Sequence, residues 1–225
     1  MPSPGLAVIL PAGGIGTRLG HRTPKQFLRV AGAPILGLTL RHFLGHPGVR
    51  AIVVAAPAEH LERTRQLVGR TGRRRVEVVV GGATRQESVW NALQEAPGTA
   101  EIVLVHDAVR PFIDRLLIDA VVAAARDAGA AICALPIAET VKRVRTGVVV
   151  DTLDRSELWT VQTPQAFRSA LLREAHDKAR RDGVVGTDDA VLVERLGHPV
   201  HVVQGRAGNV KITTPDDLRR ARRQP

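Results

Sequence analysis

Cysteine is almost absent from the 225-residue chain, whose one thiol, Cys133, lies within the apolar run Ala130–Leu135. A single cysteine can form neither an internal disulfide nor a multi-cysteine zinc site, so we expect Cys133 to be a small core residue. Long apolar runs are missing too: Leu6–Leu10 and Ile102–Val105 are far too short to span a bilayer. The N-terminus lacks the basic region and apolar stretch of a secretory signal, so we expect a cytoplasmic protein without a membrane partner.

Aromatic residues are scarce as well, with four phenylalanines, two tryptophans and no tyrosine. The net charge of +10, from 32 basic and 22 acidic residues, suggests nucleic-acid binding, because clustered cations neutralise phosphates. The arginines are spread along the chain, however, with short clusters at Arg73–Arg75 and Arg219–Arg223. Few rings are present to stack on unpaired bases. Small anionic substrates explain the charge equally well, and we expect no nucleic-acid partner.

Lysine is rare among the cations. Of the 32 basic residues, 28 are arginine, and the four lysines are Lys25, Lys142, Lys178 and Lys211. A compact ammonium group does what a planar guanidinium cannot, so a lysine kept in such a chain is a candidate for a specific role. The alternative is that the four lysines have no special function. Lys25 and Lys211 stand out because of the motifs around them.

Apolar, β-rich runs alternate with helix-like segments through the first 135 residues. The predicted strands are Leu6–Leu10, Ala51–Ala55, Val76–Val80, Ile102–Val105 and Ala130–Leu135, and the predicted helices are Ile35–Leu44, Ala58–Val68, Gln86–Gln94 and Leu116–Ala128. Short continuous apolar strands separated by helices indicate a mostly parallel sheet covered on both faces. We therefore predict one α/β domain over residues 1–225, with a doubly wound, Rossmann-like sheet.

The pattern changes after Glu139. Here Thr140–Val144 and Val148–Thr152 alternate around the turn Arg145–Gly147, which predicts a β-hairpin arm at about residues 139–152. A two-stranded hairpin is marginal alone, so we expect it to pack on its own domain or to reach into a second subunit. The remaining predicted elements are helices at Ser169–Arg181 and Asp188–Arg195, strands at Val200–Val203 and Val210–Ile212, and a last helix that opens at Thr214.

The first candidate site is a glycine-rich loop directly after the first predicted strand. It comprises Pro11, Ala12, Gly13, Gly14, Ile15, Gly16, Thr17 and Arg18. Ligands of an open parallel sheet bind at the carboxyl ends of its strands, and glycines let backbone N–H groups approach phosphates. The loop lacks the ending of a Walker motif, and Leu19 stands where a dinucleotide fingerprint needs glycine or alanine. Arg18 and Lys25 add two cations just beyond the glycines, which favours phosphate binding.

Two further candidate sites follow later strands. The start of the predicted helix in Gly81–Ser88 could present free N–H groups to a base or ribose, although the segment reads equally well as an ordinary turn. In Val105–Pro111, Asp107 is well placed to hold Mg²⁺ together with phosphate oxygens and waters, or else to cap a turn. We expect His106 to be a structural hydrogen-bonding residue. Four later polar segments each read as a turn or cap: Asp154-Arg155, Gln162–Gln165, Thr187–Asp189 and Gly208–Lys211.

In their order, these segments resemble the 2-C-methyl-D-erythritol 4-phosphate cytidylyltransferase family of the non-mevalonate isoprenoid pathway. The resemblance extends over nearly the whole chain. No single motif is decisive, but nine in the same order argue against chance similarity. They are Pro11–Arg18, Pro24–Gln26, Gly82–Ser88, His106–Pro111, Glu139–Lys142, Asp154-Arg155, Gln162–Gln165, Thr187–Asp189 and Asn209–Thr213.

The resemblance implies a nucleotide-diphospho-sugar transferase type of fold and an enzyme that uses CTP and methylerythritol phosphate. Arg18 and Lys25 would stabilise the transition state, and Arg155 and Lys211 would hold the methylerythritol phosphate. Asp107 would contact Mg²⁺ or another divalent cation. The implied nucleotide-binding residues are Pro11, Ala12, Gly13, Gly14, Gly16, Thr17, Gly82, Ala83, Ser88 and Ala108, and the implied substrate-binding residues are Arg110, Thr140, Thr163 and Thr187.

The resemblance also implies a homodimer whose hairpin arm reaches into the partner, so that part of each substrate site could come from the other subunit. Ala83 stands where some relatives have an acidic residue, which leaves a ribose contact by that side chain open. The nearest alternative is a ribitol 5-phosphate cytidylyltransferase, against which Asp154–Trp159 and Thr187–Asp189 favour the methylerythritol enzyme. A remote alternative is a non-catalytic, basic nucleic-acid-binding protein.

The attacking group in such a reaction is a phosphate monoester whose second pKa is about 6, so it is largely ionised at pH 7. No general base is needed, which agrees with the lack of an obvious catalytic histidine or carboxylate pair in the sequence. Catalysis would depend on positioning and on charge stabilisation. Mg²⁺ and Lys25 would neutralise the triphosphate, and Arg18 the charge that develops on pyrophosphate.

Overall fold

The computed structural model describes residues 5–13, 23–69 and 76–223. In chain order the strands of this part are β1 (Leu6–Pro11), β2 (Arg29–Val30), β3 (Ala33–Pro34), β4 (Val49–Ala56), β5 (Val76–Val80), β6 (Ile102–Val105), β7 (Ala130–Pro136), β8 (Val141–Arg145), β9 (Val148–Leu153), β10 (Trp159–Arg168) and β11 (His201–Gln204). The helices are α1 (Ile35–Leu44), α2 (Leu61–Gly69), α3 (Arg85–Glu95), α4 (Arg115–Ala128), α5 (Ser169–Arg181), α6 (Ala190–Glu194) and α7 (Pro215–Arg223), with single 3-10 turns at Lys25–Phe27, Ala58–His60 and Arg155–Glu157.

The centre of the described structure is a seven-stranded sheet with the order β11-β7-β10-β6-β1-β4-β5. All neighbouring pairs are parallel except those of β10, which runs antiparallel to both β6 and β7. The predicted mostly parallel α/β sheet is therefore confirmed. Because the carboxyl ends of β1, β4, β5 and β6 lie at one edge, the loops that follow these strands meet there.

Helices cover both faces of this sheet, as the continuous apolar strands predict. Along β1, Leu6, Val8 and Leu10 pack into a cluster with residues of α1, α2 and α4, whereas Ala7 and Ile9 pack into another cluster with residues of α3, α5 and α6. Each fully buried leucine, isoleucine or valine stabilises the fold by about 1.5–3 kcal/mol relative to an exposed one. Cys133 is fully buried in the first cluster, which confirms its predicted core position.

Two late predictions are wrong. Gln162–Gln165, expected to form a turn or cap, lies inside the central strand β10, and Val210–Ile212, expected to be a strand, has no regular structure. Three of these residues, Gln162, Thr163 and Gln165, are polar because they face the candidate site where β10 passes the end of β6. Ile212 is apolar because it packs in a small cluster with Val30 and Leu218.

The predicted hairpin arm is confirmed as β8 and β9, which pair with each other and form a separate two-stranded sheet. Their turn places Thr146 and Gly147 at positive φ, a conformation in which glycine is unstrained. The exposed valines of the arm are Val144, Val148, Val149 and Val150. No helix in the described residues is long and apolar enough to cross a membrane.

Candidate active site

Two adjoining chambers lie at the carboxyl edge of the sheet. The first chamber, of about 300 Å³, is bounded by the end of β1, the Lys25–Phe27 turn and the loop between β5 and α3. The second chamber, of about 280 Å³, is bounded by the middle of β10, Thr187-Asp188 and Arg110. Three residues line both chambers and so mark their boundary: Arg85, Asp107 and Lys211.

A capping box shapes the wall of the first chamber. Thr84 caps α3 through the backbone N–H of Glu87, and Glu87 Oε2 accepts hydrogen bonds from the N–H groups of Ala83 (2.7 Å) and Thr84 (3.3 Å). The N–H of Gly82 donates to Ser88 Oγ at 3.1 Å. The expectation of free N–H groups here is therefore wrong for Gly82 and Ala83, because nearby side chains already accept from them.

Gly82 is required by this packing. A Cβ atom at that position would lie 2.2 Å from Cβ of Glu87, far inside van der Waals contact. Ser88 is also fixed, since its Oγ donates to the carbonyl of Thr84 at 2.9 Å. Gly82 thus allows the loop backbone to pack closely against the start of α3. At this position no side chain projects into the first chamber.

Lys25 reaches the first chamber from the 3-10 turn Lys25–Phe27. The turn is tied to the end of β1 by Gln26, whose Nε2 donates to the carbonyl of Ala12 at 2.9 Å. Gln26 is buried, and its Oε1 has no hydrogen-bond partner in the structure. Sequence reasoning gave Gln26 no role, although it follows Lys25 directly.

Asp107 is the electrostatic centre of the boundary between the chambers. Its Oδ2 lies 3.0 Å from Nζ of Lys211 and 3.2 Å from Nε of Arg110, and its Oδ1 lies 3.5 Å from Nε of Arg85. Burial alone would raise the pKa of Asp107, but the charges of Lys211, Arg85 and Arg110 outweigh it and hold the pKa well below its usual value. The carboxylate is therefore ionised throughout the neutral range.

Asp107 is held from the backbone side by its neighbours. Its N–H donates to Oγ1 of Thr163 at 3.0 Å, and this hydroxyl lies 3.1 Å from Nδ1 of His106. The other ring nitrogen, Nε2, lies 3.1 Å from the carbonyl of Arg110 and donates to it. His106 is fully buried, which lowers its pKa to about 4. It is the structural residue that the sequence predicts, and it has no access to either chamber.

The cleft fits a divalent metal ion that takes one carboxylate ligand from the protein. In the described residues, no group of three or more histidine, cysteine, aspartate or glutamate side chains could hold a metal ion alone. Among the described residues, Asp107 is the only carboxylate that lines the first chamber. Magnesium in proteins often keeps one or two carboxylate ligands and takes the rest from substrate phosphates and water. Asp107 fits as such a single protein ligand.

The structure brings together most of the sequence-predicted site residues that it describes. The first chamber contains Pro11, Ala12, Gly13, Lys25, Gly82, Ala83, Ser88, Asp107 and Lys211, and the second contains Asp107, Arg110, Thr163, Thr187 and Lys211. Three predicted residues line neither chamber, namely Ala108, Thr140 and Arg155. The predicted residues Gly14, Gly16, Thr17 and Arg18 lie outside the described residues.

The three residues outside the chambers have different surroundings. Ala108 is buried, and its carbonyl accepts a hydrogen bond from Thr39 Oγ1 at 3.0 Å. Thr140 and Arg155 are exposed at the base of the arm, where an Arg155 Nη1 N–H donates to the carbonyl of Ala138. The burial of Ala108 argues for a packing position, whereas Thr140 and Arg155 remain accessible to another molecule.

Arg85 is the chief site residue that sequence reasoning missed. It lies within the Gly81–Ser88 motif, and its position at the end of a strand-to-helix loop was the one available signal. Its Nη1 lies 2.7 Å from Oδ2 of Asp189, which is almost fully buried. Burial would lower the pKa of Arg85, but Asp189 and Asp107 together raise it above its usual value.

Comparison with known proteins gives a consistent result. The family model described as "IspD: 2-C-methyl-D-erythritol 4-phosphate cytidylyltransferase" matches residues 6–223. The protein of that name from Symbiobacterium thermophilum is 48% identical over 217 residues, covering 96% of this chain and 91% of the relative. The crystal structure of the Thermus thermophilus protein of that name is 38% identical, with a TM-score of 0.80 and 97% coverage of both chains. That of 4-diphosphocytidyl-2C-methyl-D-erythritol synthase from Anaerococcus prevotii is 28% identical, with a TM-score of 0.86 and 97% coverage of both.

Proposed function

This chain belongs to the 2-C-methyl-D-erythritol 4-phosphate cytidylyltransferase family, and from this premise we infer how its cleft performs the reaction. The enzyme transfers CMP from CTP to 2-C-methyl-D-erythritol 4-phosphate in non-mevalonate isoprenoid biosynthesis. Pyrophosphate leaves, and 4-diphosphocytidyl-2-C-methyl-D-erythritol is formed. The observation that carries the proposal is the pair of chambers that meet at Asp107 and Lys211.

The first chamber is assigned to CTP. Its wall of Gly13, Gly82 and Ala83 offers little side-chain bulk, so the backbone can approach a base and ribose closely. Lys25 supplies a compact positive charge for the triphosphate at the same wall. Arg18 lies outside the described residues, and its role in stabilising pyrophosphate stays a prediction.

The second chamber is assigned to methylerythritol phosphate. Arg110 and Lys211 line it as cations, and Thr163, Thr187 and two glutamines provide polar groups for a polyol. Arg110 is anchored, because its Nη1 donates to the carbonyl of Asn209 at 2.8 Å while its Nε donates to Asp107. Lys211 contacts both chambers, so one ammonium group can attract the phosphate of the acceptor toward the nucleotide.

The reaction needs charge stabilisation more than proton transfer. A phosphate oxygen of the acceptor attacks the α-phosphorus of CTP, the bond from that phosphorus to the bridging oxygen breaks, and pyrophosphate departs with the electron pair. The acceptor phosphate is already largely ionised at pH 7, so no base has to remove a proton. His106 and Asp107 do not act as bases, since the first is buried and the second is bound to three cations. Lys25, Lys211 and Arg110 provide the fixed positive charge.

Mg²⁺ is the cofactor that the chemistry favours. It supplies neutralisation of the nucleotide phosphates, and Asp107 would be its contact on the protein. Two further parts of the proposal rest on sequence reasoning alone, namely a single domain over residues 1–225 and a cytoplasmic location.

We assign a homodimer to the enzyme on the basis of the arm. Four valines of β8 and β9 are exposed, and the two strands form a sheet of their own, which is marginal without a packing partner. Thr140 and Arg155 lie at the base of this arm and outside the chambers of their own chain. We propose that both residues act in the partner's second chamber when the arm inserts there, which is what the family resemblance implies.

The function is tested by mixing the purified protein and Mg²⁺ with each of the four nucleoside triphosphates. Each mixture receives either methylerythritol phosphate or ribitol 5-phosphate, and pyrophosphate release and the nucleotide-linked product are measured. CTP with methylerythritol phosphate is expected to be the fastest pair. Faster turnover of ribitol 5-phosphate, or no pyrophosphate release from any pair, would overturn the proposal.

A further inference from the structure

Arg85 connects the candidate site to a buried ion pair behind it. It is the first residue of α3 and lines both chambers. Its Nε lies 3.5 Å from Oδ1 of Asp107 on the chamber side, and its Nη1 lies 2.7 Å from Oδ2 of Asp189 on the other side. One planar guanidinium thus spans two carboxylates that are 82 positions apart in the chain (189 − 107).

Asp189 is a rigid anchor for this guanidinium. It is 1% exposed, and its Oδ1 accepts a hydrogen bond from Nε2 of His176 at 3.0 Å. Its N–H donates to Oε1 of Gln165 at 3.2 Å. Burial would raise the pKa of Asp189, but Arg85 and His176 outweigh it and hold the pKa below its usual value. The anchor is therefore a charged carboxylate fixed through both its side chain and its backbone.

The contacts of Asp107 are divided unequally between its two oxygens. Arg110 and Lys211 both approach Oδ2, whereas Arg85 approaches Oδ1. Rotation about the Cβ–Cγ bond of Asp107 is restrained at Oδ2 by Arg110 and Lys211 and at the other oxygen, Oδ1, by the ion pair with Arg85, so loss of Arg85 removes the restraint on one of the two oxygens. Arg85 holds that other oxygen, so it determines the direction in which Oδ2 presents its charge to Lys211.

We propose that Arg85 is a positioning residue: anchored on Asp189, it fixes the orientation of Asp107 and thereby the place of the Lys211 ammonium group at the boundary of the two chambers. The inference rests on the proposed function, in which Lys211 draws the acceptor phosphate toward CTP. Arginine is required because two of its nitrogens, Nε and Nη1, meet the two carboxylates at once. A lysine carries its charge on one nitrogen at the end of a flexible stem, so it cannot present two donors to the two carboxylates in this fixed geometry.

The kinetic test uses Arg85→Lys, which keeps the positive charge but removes the bridge. We expect kcat to fall at least tenfold, while the Kd for CTP measured by calorimetry without acceptor stays within threefold of the wild-type value. The matched control is Arg126→Lys, the same substitution in an ion pair with Glu101 (3.1 Å) outside the cleft. This control should leave kcat and both KM values unchanged.

A second variant tests the same inference in case Arg85→Lys does not fold. Arg85→Met with Asp189→Asn removes both buried charges together, so neither is left uncompensated. With only four lysines in the chain, selective ¹³C labelling of lysine gives a small set of side-chain signals. We expect the Lys211 signal to shift in the double variant, whereas Lys142 and Lys178, which contact Thr152 and Asp182 on exposed surfaces, keep theirs.

The two readouts separate this inference from the proposed function. Variants with wild-type kcat, or an unmoved Lys211 signal in the double variant, would overturn the positioning role of Arg85. If the wild-type protein makes no product, the proposed function fails instead, and the Lys211 signal still reports whether Arg85 positions that lysine.

Discussion

Replacement of Lys211 by alanine is the most direct test of how the cleft works. In the structure Nζ of Lys211 lies 3.0 Å from Asp107, and its side chain is 38% exposed. A partly exposed ion pair of this kind contributes less than about 1 kcal/mol to stability. Asp107 also keeps Arg85 and Arg110 as partners, so no buried charge is left alone. For a chain of this length the melting temperature should fall by no more than about 4 °C.

The effect on catalysis should be much larger. Loss of one fixed charge that stabilises the transition state raises the barrier by about 3 kcal/mol, which corresponds to about a hundredfold lower rate. The Kd for CTP should change little, because the first chamber keeps Lys25 and its backbone wall. Initial rates of pyrophosphate release, calorimetry with CTP and thermal unfolding measure these three quantities.

The chain offers a closely matched control for this substitution. Lys178 forms an exposed ion pair with Asp182 at 2.9 Å on α5, outside both chambers. Lys178→Ala removes the same atoms and a pair of nearly the same length, and it should leave turnover unchanged. A Lys211→Ala enzyme that turns over within threefold of the wild type, with both proteins folded, would refute the role assigned to Lys211.

Three further predictions concern the wall of the first chamber, the pH dependence of stability and the hairpin arm. Gly82→Ala should lower both the affinity for CTP and the melting temperature, because its Cβ would collide with Glu87 and disturb a helix cap worth about 1 kcal/mol; unchanged values would contradict the packing. Burial lowers the pKa of His106 from its ordinary 6.5 to about 4, so the unfolded chain binds the extra proton first as the pH falls. Stability should therefore decrease from pH 6.5 toward pH 4 by up to about 3 kcal/mol in urea titrations, and a His106→Gln variant should lose less over this range. If the proposed homodimer forms through the arm, Val148→Asp should give a monomer in light scattering, where the wild type gives a dimer, and should lower kcat; a variant that stays dimeric with full activity would refute the arm's role.

The fold was largely predictable because inner strands of the central sheet, such as β1 and β6, are buried on both faces. The continuous apolar run Ile102–Val105 and the valine-rich run Val76–Val80 match the observed strands, and the helix Ser169–Arg181 was predicted with the observed bounds. The failure at Gln162–Gln165 has a physical reason. Where a strand passes along a polar cleft it carries polar residues, and its local pattern then resembles that of a turn.

From local sequence alone, without the family resemblance, the candidate site was most readily predicted where polar or glycine residues directly follow a strand. Asp107 and the Gly82 loop fit that rule, whereas the role of Arg85 depends on Asp189, which is distant in sequence. Lys211 was singled out by the rarity of lysine in the chain, by the motif around it and by the family resemblance. The capping-box pattern of Thr84 and Glu87 was a signal that Glu87 turns back toward the backbone N–H groups before α3, whereas the hydrogen bond between Gly82 and Ser88 depends on the loop fold and could not be read from the motif.

The reversed direction of β10 decides where the arm emerges. Trp159, the first residue of β10, pairs with Pro136, the last residue of β7, so the chain leaves and re-enters the sheet at the same rim. Had β10 been parallel, the connection would have crossed to the opposite rim, far from the cleft. Residues 137–158 therefore form a connecting segment that begins and ends at the rim where the chambers lie. New chain termini opened at Thr146-Gly147 by circular permutation would leave every strand of the central sheet uncut.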